Sequence, residues 1–343
     1  MPERVRRASK SHTYFRLYVH YIRGAKLTRK VQRIVVAVDG GGSGSRVLLF
    51  NKAGRVLDVF RGPPLNYAVL GKDKFKENIR QIAWKLKTSY NCPLGDFVFS
   101  LAGSSKFKSE ILPILTKELG SKRIWLITDI EAAYMAATRG KDAIIVSSGT
   151  GSFAYGRRNG KVARAGGWGY LFDDEGSAYW IGRELLRRIF MCYDGRIRGC
   201  EIIREKFLRY VGAKKVEDSL PTLYREYNTP YHIAQFSKLT CEAAAQGDGV
   251  AISVLEEAAE ELEKLVSAVE SRLGFTGKVK VCGVGSVITN CELFARILKE
   301  RIEEKGRIFS ISTTPTVAGC VYYYLTRIEG VSPEECWKIN IEI

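Results

Sequence analysis

Five acidic residues and three glycine-rich turns carry the chemistry legible in this sequence. Asp39 follows the apolar run at 35–38 and stands directly before "GGGSGS", residues 40 to 45. A second apolar run, "AIIVSSGTGS" from residue 143, ends in Ser147–Ser152, and a third, "KVKVCGVGS" from residue 278, ends in Gly283–Ser286. An ordinary hairpin turn needs only a pair such as Asn-Gly, and six consecutive Gly/Ser residues exceed that need. Glycine permits positive φ and close approach of other atoms to the backbone. Successive backbone N–H groups in a turn form an anion nest, to which Ser43, Ser45, Thr150 and Ser152 would add hydroxyl donors. Two duplicated turns and a third that enters a helix point to a nucleoside triphosphate. None is a P-loop, because GxxxxGK[ST] does not occur. Gly42-Ser-Gly44 and Gly149-Thr-Gly151 also lack the third glycine of a dinucleotide fingerprint.

The acids divide by position. Asp39, at the end of its strand, could hold Mg²⁺ directly or through water. Asp129 ends the strand "RIWLIT" at a strand-to-helix junction, a usual place for catalytic groups in an open sheet. Its alternative role is N-cap for the helix "IEAAYMAATR". Asp173, Asp174 and Glu175 follow "AGGWGYLF" and precede "GSAYWIGRELL". In a solvated turn such a trio would carry no role. Set beside Trp168, Tyr179 and Trp180, the three acids read as equipment for binding a polyol. His12, His20 and His232 form no metal-binding pattern, and the eight cysteines include no CxxC pair or zinc-like spacing. Reduced, buried thiols are expected, with one or two disulfides left open. Catalysis must therefore rest on carboxylates.

These groups need a scaffold to hold them. From Ile34 the pattern gives strands 34–39, 46–50 and 56–60, a helix at about 72–88, strand 97–102, helix 106–119, strand 123–128 and a short helix near 130–138, a mixed sheet with covering helices. The opening then recurs: "AIIVSSGTGSFAYGRRNGKV" repeats the strand, Gly/Ser hairpin, strand and polar turn of "VVAVDGGGSGSRVLLFNKAGRV". A repeat at this distance indicates a duplicated α/β domain with a hairpin from each half facing one cleft. Helices at about 176–192, 200–211 and 248–273 follow, then strand 278–286, a helix from about 289, strand 307–312 and a last helix at 316–328.

The chain has 343 residues, 45% hydrophobic and 27% charged, which suits a two-domain globular protein. No apolar run is long enough to cross a bilayer. The formal charge of +17 is concentrated at the N-terminus, where residues 1–33 hold ten Lys/Arg and one acid, Glu3. That tail interleaves aromatics with cations, so nucleic-acid or membrane-surface contact is conceivable. It lacks the pattern of a secretory signal. The alternative is a disordered extension, or a start codon placed too early.

"GGWGYLFDDEGSAYWIG" is very similar to the signature of N-acetylglucosamine kinases and related archaeal hexokinases, a branch of the sugar kinase, Hsc70 and actin superfamily. "DGGGSGSR" and "SSGTGS" resemble its two phosphate motifs, "VCGVGSV" its adenosine motif and "PPLNYAVLG" its sugar-binding segment. The match runs in order from about Ile34 to the final helix. The resemblance implies an α/β fold of duplicated ribonuclease H-like (actin-like ATPase) domains, two lobes around a nucleotide cleft. Residues 34–140 would form the first lobe, joined by the C-terminal segment 316–343, and 141–315 the second. It implies an ATP-dependent kinase acting on a sugar 6-hydroxyl, with Mg²⁺ near Asp39 and Asp129 as catalytic base. Gly41, Gly42, Ser43, Gly149, Thr150 and Gly151 would grip phosphate, and Gly283, Gly285 and Ser286 the nucleoside. Asn66, Gly167, Asp174 and Glu175 stand at the sugar contacts. One departure is Phe153, where the acetylglucosamine kinases have asparagine; it bears on acetamido recognition more than on kinase chemistry. The implied partners are ATP and a hexose or amino sugar in the cytoplasm, with a homodimer left open, no membrane and no nucleic acid. Rival readings are an activator ATPase of the benzoyl-CoA reductase and 2-hydroxyacyl-CoA dehydratase type, which shares this fold, and a non-catalytic sugar sensor.

Overall fold

The structure, a computed structural model, describes residues 33–90 and 94–341, so residues 1–32 of the basic tail and Cys92 lie outside the described residues. The described chain divides into two compact units: one reaches Ile127 and takes Ile341, and the other runs from Thr128 to Asn340.

The first unit contains β1 (Ile34–Gly40), β2 (Ser45–Phe50), β3 (Val56–Gly62), α1 (Tyr67–Ser89), β4 (Leu94–Leu101), α2 (Ser104–Leu119) and β5 (Ile124–Ile127). Its sheet has the order β3-β2-β1-β4-β5, antiparallel through β1–β3 and parallel from β1 to β5. Val35 to Val38 are all wholly buried, which is why β1 reads as an unbroken apolar run instead of an alternating one. The stripe Phe75, Ile79, Ile82 and Leu86 faces α1 inward at helical spacing. That helix starts earlier than the sequence pattern implies and bends at Gly71, whose φ is 70°.

The second unit begins with α3 (Asp129–Thr138) and repeats the plan with β6 (Ala143–Ser148), β7 (Ser152–Arg158) and β8 (Lys161–Gly166). Helices α4 (Ala178–Tyr193), α5 (Glu201–Val211), α6 (Leu220–Glu226), α7 (Pro230–Ala234), α8 (Phe236–Ala244) and α9 (Gly249–Leu273) follow. After them come β9 (Lys280–Val284), α10 (Ser286–Asn290), α11 (Glu292–Glu304), β10 (Ile308–Ile311), α12 (Thr316–Tyr323) and α13 (Pro333–Cys336). The sheet order is β10-β9-β6-β7-β8. Counted from its own first strand, this is the topology of the first sheet, so the duplication seen in the motifs extends to the whole fold. Both sheets are the mixed, helix-covered kind of an actin-like ATPase domain. Helices α6, α7 and α8 were not expected from the sequence, because each is shorter than the roughly 11 residues over which helical periodicity stands out.

Two close approaches fix the packing in this unit. A Cβ on Gly156 would lie 2.7 Å from Val269 on α9, so glycine lets the long helix settle on the sheet. A Cβ on Gly319 would lie 1.8 Å from the Ala132 carbonyl oxygen, so only glycine allows α12 to cross α3. Both helices fall in the second unit, and the division at Ile127–Thr128 differs from the lobe boundary at 140/141 expected from the motifs. Two disulfides, Cys192–Cys200 and Cys241–Cys291, are present, within the one or two that the sequence left open, while Cys282, Cys320 and Cys336 are buried thiols. Among the described residues no helix is long and apolar enough to cross a membrane.

Candidate active site

In the first unit the glycine turn closes with the Gly41 amide donating to the Gly44 carbonyl at 2.9 Å. None of Gly40, Gly41, Gly42 or Gly44 has a positive φ, so conformational freedom does not explain these glycines. Proximity explains the first: a Cβ on Gly40 would lie 2.6 Å from the Leu65 Cβ. Openness characterises the next two, since a Cβ on Gly42 would meet nothing within 4 Å and one on Gly41 only the Gly44 carbonyl oxygen at 3.8 Å. The amides of Gly42 and Ser43 donate to nothing among the described residues, leaving a bare N–H surface of the kind that accepts an anion. Ser43 is exposed on this turn, whereas Ser45 is turned inward with its hydroxyl buried. Ser45 is therefore not the surface donor that the sequence suggested.

Asp39 is held beside the turn by Ser100, whose hydroxyl donates to Asp39 Oδ1 at 2.9 Å. Parallel register sets this pair, because Asp39 and Ser100 are partners on β1 and β4. Ser100 is a site residue the sequence reading missed; its signal was only that both strands end at one edge. The loop carrying Asn66 is tied to the same turn. The Leu65 amide donates to the Gly41 carbonyl at 3.0 Å, and Asn78 Nδ2 on α1 donates to the Pro64 carbonyl at 2.8 Å. Asn66 precedes α1 without capping it. Its Oδ1 is buried and accepts no hydrogen bond among the described residues, a costly arrangement unless a ligand supplies the donor.

In the second unit the shorter turn closes with the Gly149 amide donating to the Gly151 carbonyl at 3.0 Å. The Thr150 and Gly151 amides donate to nothing among the described residues. Asp174, with φ 73°, is buried against this turn and accepts from the Ser152 amide at 3.0 Å. A Cβ on Gly151 would lie 2.7 Å from Asp174 Oδ1, so glycine is needed there to admit the carboxylate. Burial pushes the Asp174 carboxyl above the usual carboxylate range and Asp173 adds to this, while the Ser152 amide and Arg164 pull the other way. The Ser152 hydroxyl donates to the Glu175 carbonyl at 2.6 Å, so it too serves the fold and not a surface anion. Arg164 donates to the Gly167 carbonyl, and Asp173 accepts from the Trp168 amide at 2.9 Å. The aromatic flank expected around the acids is only partly present: Tyr179 and Trp180 are buried, and Trp168 alone is largely exposed.

Asp129 begins α3 but does not cap it. Thr128 is the N-cap, accepting from the Glu131 amide at 3.1 Å. Asp129 is exposed and makes no hydrogen bond or ion pair among the described residues. The capping alternative is thereby overturned, and the carboxylate is available for chemistry.

The third turn packs directly on the second. A Cβ on Gly285, whose φ is +96°, would lie 2.5 Å from the Ser148 carbonyl oxygen. Beside this contact opens a cavity of about 520 Å³, bordered by Thr150, Ser286 and Asn290 and walled by Gln235, Lys238 and Glu242 from the α7–α8 region. The Cys241–Cys291 disulfide forms part of the same wall. Its size suits a nucleoside. The α8 residues escaped the sequence reading because no motif marks them.

Comparison with known proteins identifies the family. The family model described as the BadF/BadG/BcrA/BcrD ATPase family matches residues 36–321. The N-acetylmuramic acid/N-acetylglucosamine kinase of Clostridium acetobutylicum is 31% identical over 271 residues, covering 75% of this chain and 86% of that protein. The N-acetyl-D-glucosamine kinase of Dictyostelium discoideum is 27% identical over 291 residues, covering 80% and 91%. A crystal structure from Chromobacterium violaceum, solved as a candidate N-acetylglucosamine kinase, superposes with a TM-score of 0.65 at 22% identity, covering 85% of this chain and 99% of that one. At that identity the likeness speaks for the fold alone. With the family model spanning both duplicated sheets and all three glycine turns, this chain belongs to the BadF/BadG/BcrA/BcrD ATPase family.

Proposed function

We propose that the protein is an ATP-dependent kinase that phosphorylates the 6-hydroxyl of N-acetylglucosamine or a related hexose or hexosamine. The observation that carries this reading is Asp129, an exposed carboxylate at a strand-to-helix junction, relieved of capping by Thr128. The kinase activities named for the Clostridium and Dictyostelium relatives support it.

Asp129 accepts the proton of the sugar hydroxyl as that oxygen bonds to the γ-phosphorus; the bond to the β-bridging oxygen breaks, and ADP leaves. Such transfers depend on positioning and on stabilising charge at the phosphates. The open amides at Gly42 and Ser43 and at Thr150 and Gly151 supply that stabilisation, and the cavity beside Ser286 holds the nucleoside. Asn66, Glu175 and the Gly167 backbone orient the sugar hydroxyls, while Asp174 holds the second phosphate turn in shape. Asp39, steadied by Ser100, would be the oxygen ligand that holds a hard cation beside the phosphates. Mg²⁺ bound there would neutralise charge on the transferring phosphoryl group.

The activator-ATPase reading requires cysteines placed to hold a cluster beside the phosphate turns. Here Cys241 and Cys291 bond to each other, and Cys282, which precedes Gly283, is buried with its thiol pushed up by desolvation. That arrangement favours the kinase. The test is ADP release across glucose, N-acetylglucosamine, mannose and glucosamine. Stimulation by at least one sugar is expected, and ATP hydrolysis indifferent to all of them would refute the reading.

A further inference from the structure

The segment that carries Asn66 is not braced by the body of α1. The Asn66 carbonyl accepts from the Val69 and Leu70 amides at 3.2 and 3.0 Å, which makes a single turn over 66–70. Gly71, with φ 70° and ψ 172°, then breaks the helical backbone, a conformation that glycine adopts at little cost. The inward stripe that begins at Phe75 belongs to the helix beyond this break. Upstream, the Leu65 amide ties the loop to the Gly41 carbonyl, and the Pro64 carbonyl ties it to Asn78. Both ties come before Asn66, so the turn that follows it depends on its own side chains.

Tyr67 supplies the hold. It is buried, and its ring lies edge-on to Phe75 with centroids 5.3 Å apart and tilted against Phe107 at 5.2 Å. A bare ring would serve that packing as well. The hydroxyl does something else: it donates to Glu110 Oε2 on α2 at 2.6 Å, a charge-assisted bond. That bond, and then burial, push the Tyr67 hydroxyl up to about 12, so it stays a donor at any ordinary pH. Glu110 is exposed, and among the described residues it has no other hydrogen bond or ion pair. The start of α2 is itself fixed to the sheet. The Ser104 hydroxyl donates to the Ile127 carbonyl at 3.2 Å, and just before it the Ala102 amide donates to the Gly40 carbonyl at 3.4 Å. Glu110 therefore ties the Asn66 turn to the strand ends that hold Asp39 and lead to Asp129.

We propose that Tyr67 is a positioning residue for the sugar: through its hydrogen bond to Glu110 it holds the single turn that begins at Asn66, and so sets the direction in which the Asn66 amide meets a sugar hydroxyl. The inference rests on the kinase reading and adds to it a pair that touches neither sugar nor nucleotide. A hydrogen bond to a hydroxyl needs both distance and angle. A turn freed on one side of Gly71 keeps its fold but loses that aim. The cost should therefore fall on sugar use and leave ATP untouched.

The experiment measures sugar KM, ATP KM and melting temperature in the wild type, Tyr67→Phe, Glu110→Ala, Glu110→Gln and the double variant Tyr67→Phe/Glu110→Ala. Tyr67→Phe keeps the ring, and Glu110→Ala alters an exposed position, so both should fold. Each should raise sugar KM about fivefold to tenfold, with ATP KM unchanged within about twofold. The double variant should be no worse than either single one, because both remove the same bond. Glu110→Gln keeps a carbonyl acceptor and should recover most of the sugar KM. An unchanged sugar KM in Tyr67→Phe and Glu110→Ala overturns the proposal. So does a rise in both KM values together with a falling melting temperature, or additive losses in the double variant. Calorimetric binding of N-acetylglucosamine to wild type and Tyr67→Phe separates this from the kinase reading. A wild type that binds the sugar without sugar-stimulated ADP release would sink the kinase reading, and equal sugar affinity in the two proteins would sink the role of Tyr67.

Discussion

The sharpest test of the proposed chemistry sets two neighbouring residues against each other, Thr128 and Asp129. Thr128 caps α3 through its hydrogen bond with the Glu131 amide at 3.1 Å, and removing an N-cap costs about 1 kcal/mol, up to about 2. Asp129, in the first helical turn, favours the positive end of the helix dipole by about 0.3–1 kcal/mol. Both substitutions should thus lower stability slightly and by comparable amounts, and each kcal/mol is worth only about fivefold in any equilibrium. Catalysis should divide them. Loss of a general base costs about 10²-fold or more in turnover, so Asp129→Asn should drop kcat by that factor with sugar and ATP KM nearly unchanged. Thr128→Ala should keep kcat within about fivefold while losing about as much melting temperature as Asp129→Asn. The assay is coupled ADP release at saturating sugar, with thermal unfolding on the same preparations. An Asp129→Asn enzyme with wild-type kcat would reduce Asp129 to a helix-end charge, and parallel loss of kcat in both variants would trace the effect to the helix instead of the carboxylate.

Three further expectations follow from individual contacts. Gly151→Ala drives a Cβ to within 2.7 Å of Asp174 Oδ1 and breaks a charge-assisted hydrogen bond worth about 1.5–3 kcal/mol; ATP KM should rise about tenfold or more, and an unaltered ATP KM would remove this turn from the phosphate site. Asn66→Ala should raise sugar KM by one to two orders of magnitude, from a buried hydrogen bond of about 1–3 kcal/mol, with ATP KM constant. If both KM values rose together with a falling melting temperature, Asn66 would be only a loop residue. The Cys241–Cys291 disulfide joins residues 50 apart, and its loop-closure entropy is worth about 4 kcal/mol; a Cys241→Ser/Cys291→Ser variant should unfold at distinctly lower denaturant under oxidising conditions, and a midpoint equal to the wild type's would mean that the bond is absent in solution.

What the sequence by itself determined lies in its local patterns. The apolar runs before the glycine turns at residues 40–45 and 147–152 locate two equivalent strands, because a strand covered on both faces needs no polar alternation. The recurrence of the motif identifies the duplication, which the shared sheet order repeats strand for strand. Asp129 stood out because it sits at an element boundary beside an apolar pattern, whereas Asn66 was singled out only by the resemblance of its segment to a sugar-binding motif. Only the tertiary structure decided which polar groups remain available. Ser45 and Ser152 look like Ser43 in sequence, yet their hydroxyls turn inward or meet a carbonyl across a loop. Asp174 faces the second glycine turn because a positive φ aims it there, and Thr128, not Asp129, takes the cap. The α8 wall of the cavity beside Ser286 and the pairing of Cys241 with Cys291 join segments far apart in the chain. Local spacing carries no record of such contacts; they exist only once the helices have packed.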